Sequence, residues 1–124
     1  MKVLLSIKPK FADKIFEGTK KYEFRRAIFK NPNITIVVVY ASSPVRKVIG
    51  EFEIDKIIKS DIESLWIKTK GFSGISKDYF LEYFNEKEHG FAIKIKNPKK
   101  YKTPLCIQKD FNVFPPQSFL YLAS

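Results

Sequence analysis

Val3, Leu4, Leu5 and Ile7 open the chain as a short apolar run and predict a strand from Met1 to Ile7. From Pro9 to Glu17 the period changes, with Ala12, Ile15 and Phe16 at helical spacing, a proline suited to a first turn and Gly18 as a left-handed stop. Tyr22 and Phe24 then alternate with Glu23 and Arg25, the period of a half-buried strand. After the turn signal Asn31-Pro32-Asn33, Ile34 to Ser42 is β-branched and almost unbroken, which predicts a central strand buried on both faces. Beyond a turn at Pro44 and Arg46, Phe52 and Ile54 alternate with Glu51, Glu53 and Asp55, so this strand has one wet face.

The second half adds helices. Ser60-x-x-Glu63 has the form of a capping box for a helix over 61–70, and Ser76 is placed to cap another over 77–86, with Ile75 and Phe80 as a hydrophobic staple. Gly90 ends that segment, and Phe91, Ile93 and Ile95 alternate with Lys94 and Lys96 as a further strand. Pro98 to Pro104 reads as a basic loop, His89 as a loop residue, and the tail from Leu105 to Ser124 as irregular around Pro115 and Pro116 before the strand-like SFLYL. The sum is a small mixed α+β barrel of five or six strands with about three short helices, forming one domain over residues 1–124.

Composition narrows the function classes. With 44% hydrophobic and 15% aromatic residues, the 124-residue chain can bury a core, and no apolar run reaches the roughly 20 residues of a membrane helix. A cytoplasmic location with no membrane partner is the expectation. One cysteine and one histidine exclude an intrachain disulfide and a zinc site of the nitrogen-and-sulfur type, and neither a metal nor another cofactor is expected. Cys106 reads as buried and inert. The net charge of +10 implies attraction to polyanions. It is uneven: residues 1–30 carry nine basic and three acidic side chains, whereas Asp78, Glu82, Glu86 and Glu88 cluster later. The series Lys94, Lys96, Lys99, Lys100 and Lys102 suits a solvated strand face better than a specific site, because lysine far outnumbers arginine.

The chemistry concentrates in GTKKYEFRR, Gly18 to Arg26. A helix turning sharply into a strand brings Lys20, Glu23, Arg25 and Arg26 together at one edge, with Ser6 and Lys8 across from them. Arginine offers a planar fork matching a phosphate or a base edge, lysine a point charge, and a carboxylate an acceptor for exocyclic amines. A salt-bridged strand edge would use the same residues, since Glu23 and Arg25 share strand parity.

Read as G-x-K-x-x-E-x-R, Gly18, Lys20, Glu23 and Arg25 resemble the signature of ASCH domains, small β-barrels of the PUA-like superfamily. LLSIKPKFADKIFEG is similar to that family's opening strand and helix, VIGEFEI to its central strand and PPQSFLYL to a closing segment, so the resemblance covers nearly the whole chain. It implies a PUA-like fold and a cleft for RNA or a modified nucleotide, formed by Ser6, Lys8, Lys20, Glu23, Arg25 and Arg26. Trp66, Tyr79, Tyr83 and Phe72 lie in segments that resemble the family's cleft-flanking insertion; stripes at helical spacing are usually packing, so most are expected in the core and one, Trp66 or Tyr79, to face the ligand. A binding module is the first reading.

The second reading is a hydrolase. Some proteins similar to ASCH domains are amidohydrolases acting on N4-acetylcytidine, in which the motif's lysine activates a threonine where this chain has Glu23. A carboxylate cannot form that nucleophile, so the mechanism does not carry over. Glu23 as general base, with Lys20 and Arg25 stabilising charge, remains, and other family members are ribonucleases. A transcriptional regulator ranks last, for want of a recognition helix. RNA, single-stranded DNA and a free nucleoside all stay open as ligands.

Overall fold

In a computed structural model that describes residues 1–122, the chain forms one six-stranded sheet with four short α-helices. The elements are β1 (Lys2–Ile7), α1 (Pro9–Glu17), β2 (Tyr22–Arg25), β3 (Ile36–Ala41), β4 (Lys47–Asp61), α2 (Ile62–Thr69), α3 (Lys77–Tyr83), β5 (His89–Leu105), α4 (Ile107–Phe111) and β6 (Phe119–Leu122). A 3-10 turn, Lys70–Phe72, follows α2. Strand order is β2-β5-β4-β3-β1-β6. This is the mixed α+β architecture expected, with its strand count. The last two residues of the tail, Ala123 and Ser124, lie outside the described residues.

β1 and β3 are buried on both faces because their apolar runs leave no polar side for water. They pair in parallel, with Ser6 opposite Tyr40 and Ile7 opposite Ala41. Val3, Leu5, Ile7, Val37, Val39 and Ala41 pack on one face against Ala12 and Ile15 of α1. Leu4, Val38 and Tyr40 pack on the other with Val48, Ile107 and Leu122. A third cluster, Phe24, Leu65, Phe80, Phe84 and Ala92, seats α2 and α3 on β2 and β5. Phe80 is its hub, fully buried and within 5.2 Å of the rings of Phe24, Trp66 and Phe84, centroid to centroid. Truncating it, Phe80→Ala, is expected to cost about 3–5 kcal/mol, read as a lowered denaturant midpoint; a change under about 1 kcal/mol would mean that the cluster collapses onto the void.

Four local expectations need correction. The basic segment 98–104 is not a loop but the far half of β5. Its prolines are tolerated because the β4–β5 register slips there: Asn97 and Pro98 fall between the pairs Glu53↔Lys96 and Glu51↔Lys99, and Pro104 between Gly50↔Lys100 and Val48↔Leu105, where no ladder N–H is required of them. His89 is the first residue of β5. The cap of α2 is Asp61 rather than Ser60, its carboxylate accepting from the Ser64 N–H at 3.0 Å. Cys106 is half-buried at the start of α4, and the backbone N–H groups of Lys109 and Gln108 hold its thiol below the usual thiol range. The cap of α3 is Ser76, as the sequence predicts.

The main-chain ladder ends at β2 on one side and β6 on the other. Side chains span the gap. Arg25, the last residue of β2, donates through Nη2 to the carbonyl oxygen of Ser118 at 3.0 Å and to its Oγ at 2.9 Å, just before β6 begins. No helix among the described residues is long and apolar enough to cross a membrane.

Candidate functional site

α1 ends where the sequence says it should. Gly18 adopts φ +89°, and its N–H is held by the carbonyls of Ile15 and Lys14, a conformation that would strain any side chain carrying a Cβ. The Lys20 N–H also bonds the Lys14 carbonyl, so the chain doubles back tightly before β2 begins. This turn drives Lys20 inward instead of into solvent. The same reversal sets Glu23 and Arg25 on one side of β2, opposite Tyr22 and Phe24, whose rings join the aromatic cluster.

All three charged residues are buried: Lys20 is 2% exposed, Glu23 7% and Arg25 8%. The Lys20 Nζ donates to the carbonyl of Ser73 at 2.6 Å and lies 4.8 Å from the Phe24 ring centroid and 5.4 Å from that of Phe11. Burial is the main influence on its acidity. Loss of hydration lowers the amine, the Glu23 carboxylate pulls the other way and nearby Lys14 adds to the fall, bringing it from 10.5 to about 8. Arg25 Nη1 pairs with Glu23 Oε2 at 3.2 Å. Above them, the Tyr83 hydroxyl donates to the Phe24 carbonyl at 3.1 Å, and burial raises its pKa.

These groups sit in a cleft of about 510 Å³, within the range of small-ligand sites. Of the residues expected there, Ser6, Lys8, Lys20, Glu23, Arg25 and Tyr79 line it. Arg26 does not: it follows β2 with the opposite parity, is exposed, and reaches the Asn85 carbonyl at 3.5 Å. Trp66 does not either, because its face of α2 turns onto Phe80 in the aromatic cluster. Tyr79, half-buried, meets Phe11 edge to face at 5.1 Å, with the amines of Lys8 and Lys10 over its ring at 5.4 and 5.7 Å. Among the described residues, no three His, Cys, Asp or Glu side chains come together to hold a metal.

Several lining residues had no distinguishing sequence signal. Phe11 sits at helical spacing and reads as packing; Tyr40 is embedded in the β3 run. Ser42, Ser43 and Arg46 enter from the β3–β4 turn, and Pro115, Pro116 and Gln117 from the tail. That tail forms a wall because Ser6 Oγ donates to the Pro116 carbonyl at 2.6 Å and Arg25 holds Ser118. For Arg46 a signal did exist: it is one of three arginines among many lysines, beside a turn.

The same fold is found in known proteins. A Zymomonas mobilis ASCH protein of known crystal structure superposes with a TM-score of 0.89 at 28% identity, covering 98% of this chain and 87% of that one. A Zymomonas mobilis protein named an ASCH domain-containing ribonuclease is 28% identical over 123 residues, 96% of this chain and 82% of its own length. A Ureaplasma parvum serovar 3 protein named ATP synthase subunit alpha is 34% identical over 122 residues, 97% of this chain, yet the chain spans only 15% of that protein. The family model of the ASCH domain matches residues 5–104, a span that takes in the helix, the Gly18 turn and β2 with all three buried charges. This chain therefore belongs to the ASCH domain family.

Proposed function

We propose that this chain binds single-stranded RNA in the cleft of Lys20, Glu23 and Arg25 and cleaves its phosphodiester backbone there. The observation that carries the reading is Lys20: an amine 2% exposed, held in a ligand-sized cleft, with its pKa brought to about 8 by burial. A group that gains and loses a proton near neutral pH beside a carboxylate and a guanidinium is equipped for proton transfer and for holding developing negative charge. The similarity to a protein named a ribonuclease, over most of both lengths, supports the same class.

In this reading Glu23 takes the proton from the attacking hydroxyl as its oxygen bonds to phosphorus. The bond from phosphorus to the leaving oxygen breaks, and the proton ends on that oxygen. Lys20 and Arg25 offset the charge that builds on the phosphoryl oxygens between those events. Tyr79 and Phe11 offer ring faces and edges to a base.

A second reading, binding without turnover, has its own support. Each of the three groups is already engaged, Lys20 with Ser73, Glu23 with Arg25, and Arg25 with Ser118. End-labelled RNA incubated with the protein, with and without divalent metal, separates the two when polarisation and a denaturing gel are read on the same samples. Cleavage is expected, with Glu23→Gln lowering it by about 10²–10⁴-fold while affinity stays within a few-fold. Intact RNA, bound and weakened by Lys20→Met, would leave binding as the function. RNA neither bound nor cut would remove both.

A further inference from the structure

The cations lining the cleft fall into two groups with different surroundings. Lys20 and Arg25 are buried and bonded, and they share the one carboxylate of the lining, Glu23. Lys8 and Arg46 are exposed at the opening, and among the described residues neither side chain has a hydrogen-bond acceptor or a carboxylate partner. The topology puts these two on adjacent loops. Lys8 directly follows Ile7 of β1, Ser42 directly follows Ala41 of β3, those strands pair in parallel at this end, and the Ser42 N–H bonds the Ile7 carbonyl at 3.0 Å. The Ser42 carbonyl then accepts from the backbone N–H groups of Val45 and Arg46, folding the turn back on itself. Arg46 closes it with φ +54°, a left-handed conformation that is uncommon for a residue with a long side chain.

We propose that Lys8 and Arg46 form a second phosphate site at the mouth of the cleft, separate from the buried Lys20–Glu23–Arg25 centre. It anchors the phosphate flanking the nucleotide held inside, so the ligand is a phosphate-bearing nucleotide, in a strand or free, and not a nucleoside. The inference rests on the reading of the cleft as a nucleotide site. Two uncompensated cations with no acid among them favour an anion on charge alone, and the planar fork of Arg46 matches phosphate oxygens in a way that a lysine there would not.

Three probes test it by calorimetry at low salt: uridine, uridine monophosphate and a uridine hexanucleotide, each on the Glu23→Gln background that leaves the strand uncut, alone and combined with Arg46→Ala, Arg46→Gly or Lys20→Met. Both phosphate-bearing probes are expected to bind about tenfold or more tighter than uridine. Arg46→Ala should remove most of that advantage and leave uridine binding unchanged, and it should reduce the salt dependence of hexanucleotide binding by about one released ion. Arg46→Gly, whose backbone takes the left-handed turn without strain, should lose the same affinity with no fall in melting temperature. A larger advantage for the hexanucleotide than for the monophosphate assigns the anion to a strand; equal advantages assign it to the free nucleotide. Uridine binding as tightly as its monophosphate, or Arg46→Ala weakening all probes alike, overturns the mouth site while leaving the buried centre standing. Unchanged binding in Lys20→Met would overturn the buried centre instead, and the absence of binding by every probe would overturn both.

Discussion

The folded protein is expected to gain stability as the pH is raised from about 8 toward 10.5, through Lys20. Its amine has the ordinary pKa of 10.5 when unfolded and about 8 when folded. Between those values the unfolded chain holds a proton that the folded chain has shed, so unfolding takes one up, and raising the pH disfavours it. Below about pH 8 the amine is charged in both states, and the native state bears the full cost of burying that charge. The gain across the window is up to about 3 kcal/mol. Tyr83 and Tyr101, whose pKa values burial raises, work in the opposite direction as their unfolded counterparts ionise around pH 10. Denaturant midpoints at about pH 7.5 and about pH 9.5, with Lys20→Met as the reference, isolate the lysine. The wild type should approach or overtake the variant as pH rises. Parallel curves would mean that Lys20 is hydrated, and the observation that carries the reading of the cleft would fall with it.

Arg25→Ala is expected to destabilise the fold by about 3–5 kcal/mol, because it leaves the buried Glu23 carboxylate without its partner. The residue also carries the only side-chain hydrogen bonds recorded among the described residues between the β2 edge and Ser118, so amide exchange in the β1–β6 ladder should quicken beyond the global change. Replacing both members, Arg25→Met with Glu23→Leu, should recover most of the stability, since no buried charge is then left over. A loss under about 1 kcal/mol for Arg25→Ala would class the pair with exposed salt bridges, whose contribution is that small.

Both experiments concern a centre whose members stood out in the sequence, while its cover did not. The Gly18 turn and the parity of Glu23 and Arg25 are local properties, fixed by backbone sterics and the two-residue period of a strand, so residues 18–25 were legible. The apolar runs of β1 and β3 likewise reveal burial on both faces. What failed to show depends on contacts distant in sequence. Ser73, whose carbonyl receives the Lys20 amine, is 53 residues away; Ser118 is 93 residues from Arg25. Trp66 and Tyr79 looked alike as exposed-capable aromatics near one cleft, and only the docking angles of α2 and α3 decide that the first packs on Phe80 and the second on Phe11. The β5 prolines misled for a related reason, since a proline forbids a ladder bond only where the register demands one.

The tail wall ties the cleft to the order of synthesis. Lys20, Glu23 and Arg25 are made before Pro115 and Pro116, which line the same cleft, and Ser118, which fixes Arg25, follows it by 93 residues. While the chain is still growing, the core strands can pair and the charges can take their places, but the pocket has one side missing. The charged centre is thus in place before the wall that closes its cleft, and the cleft is complete only once Ser118 has been added.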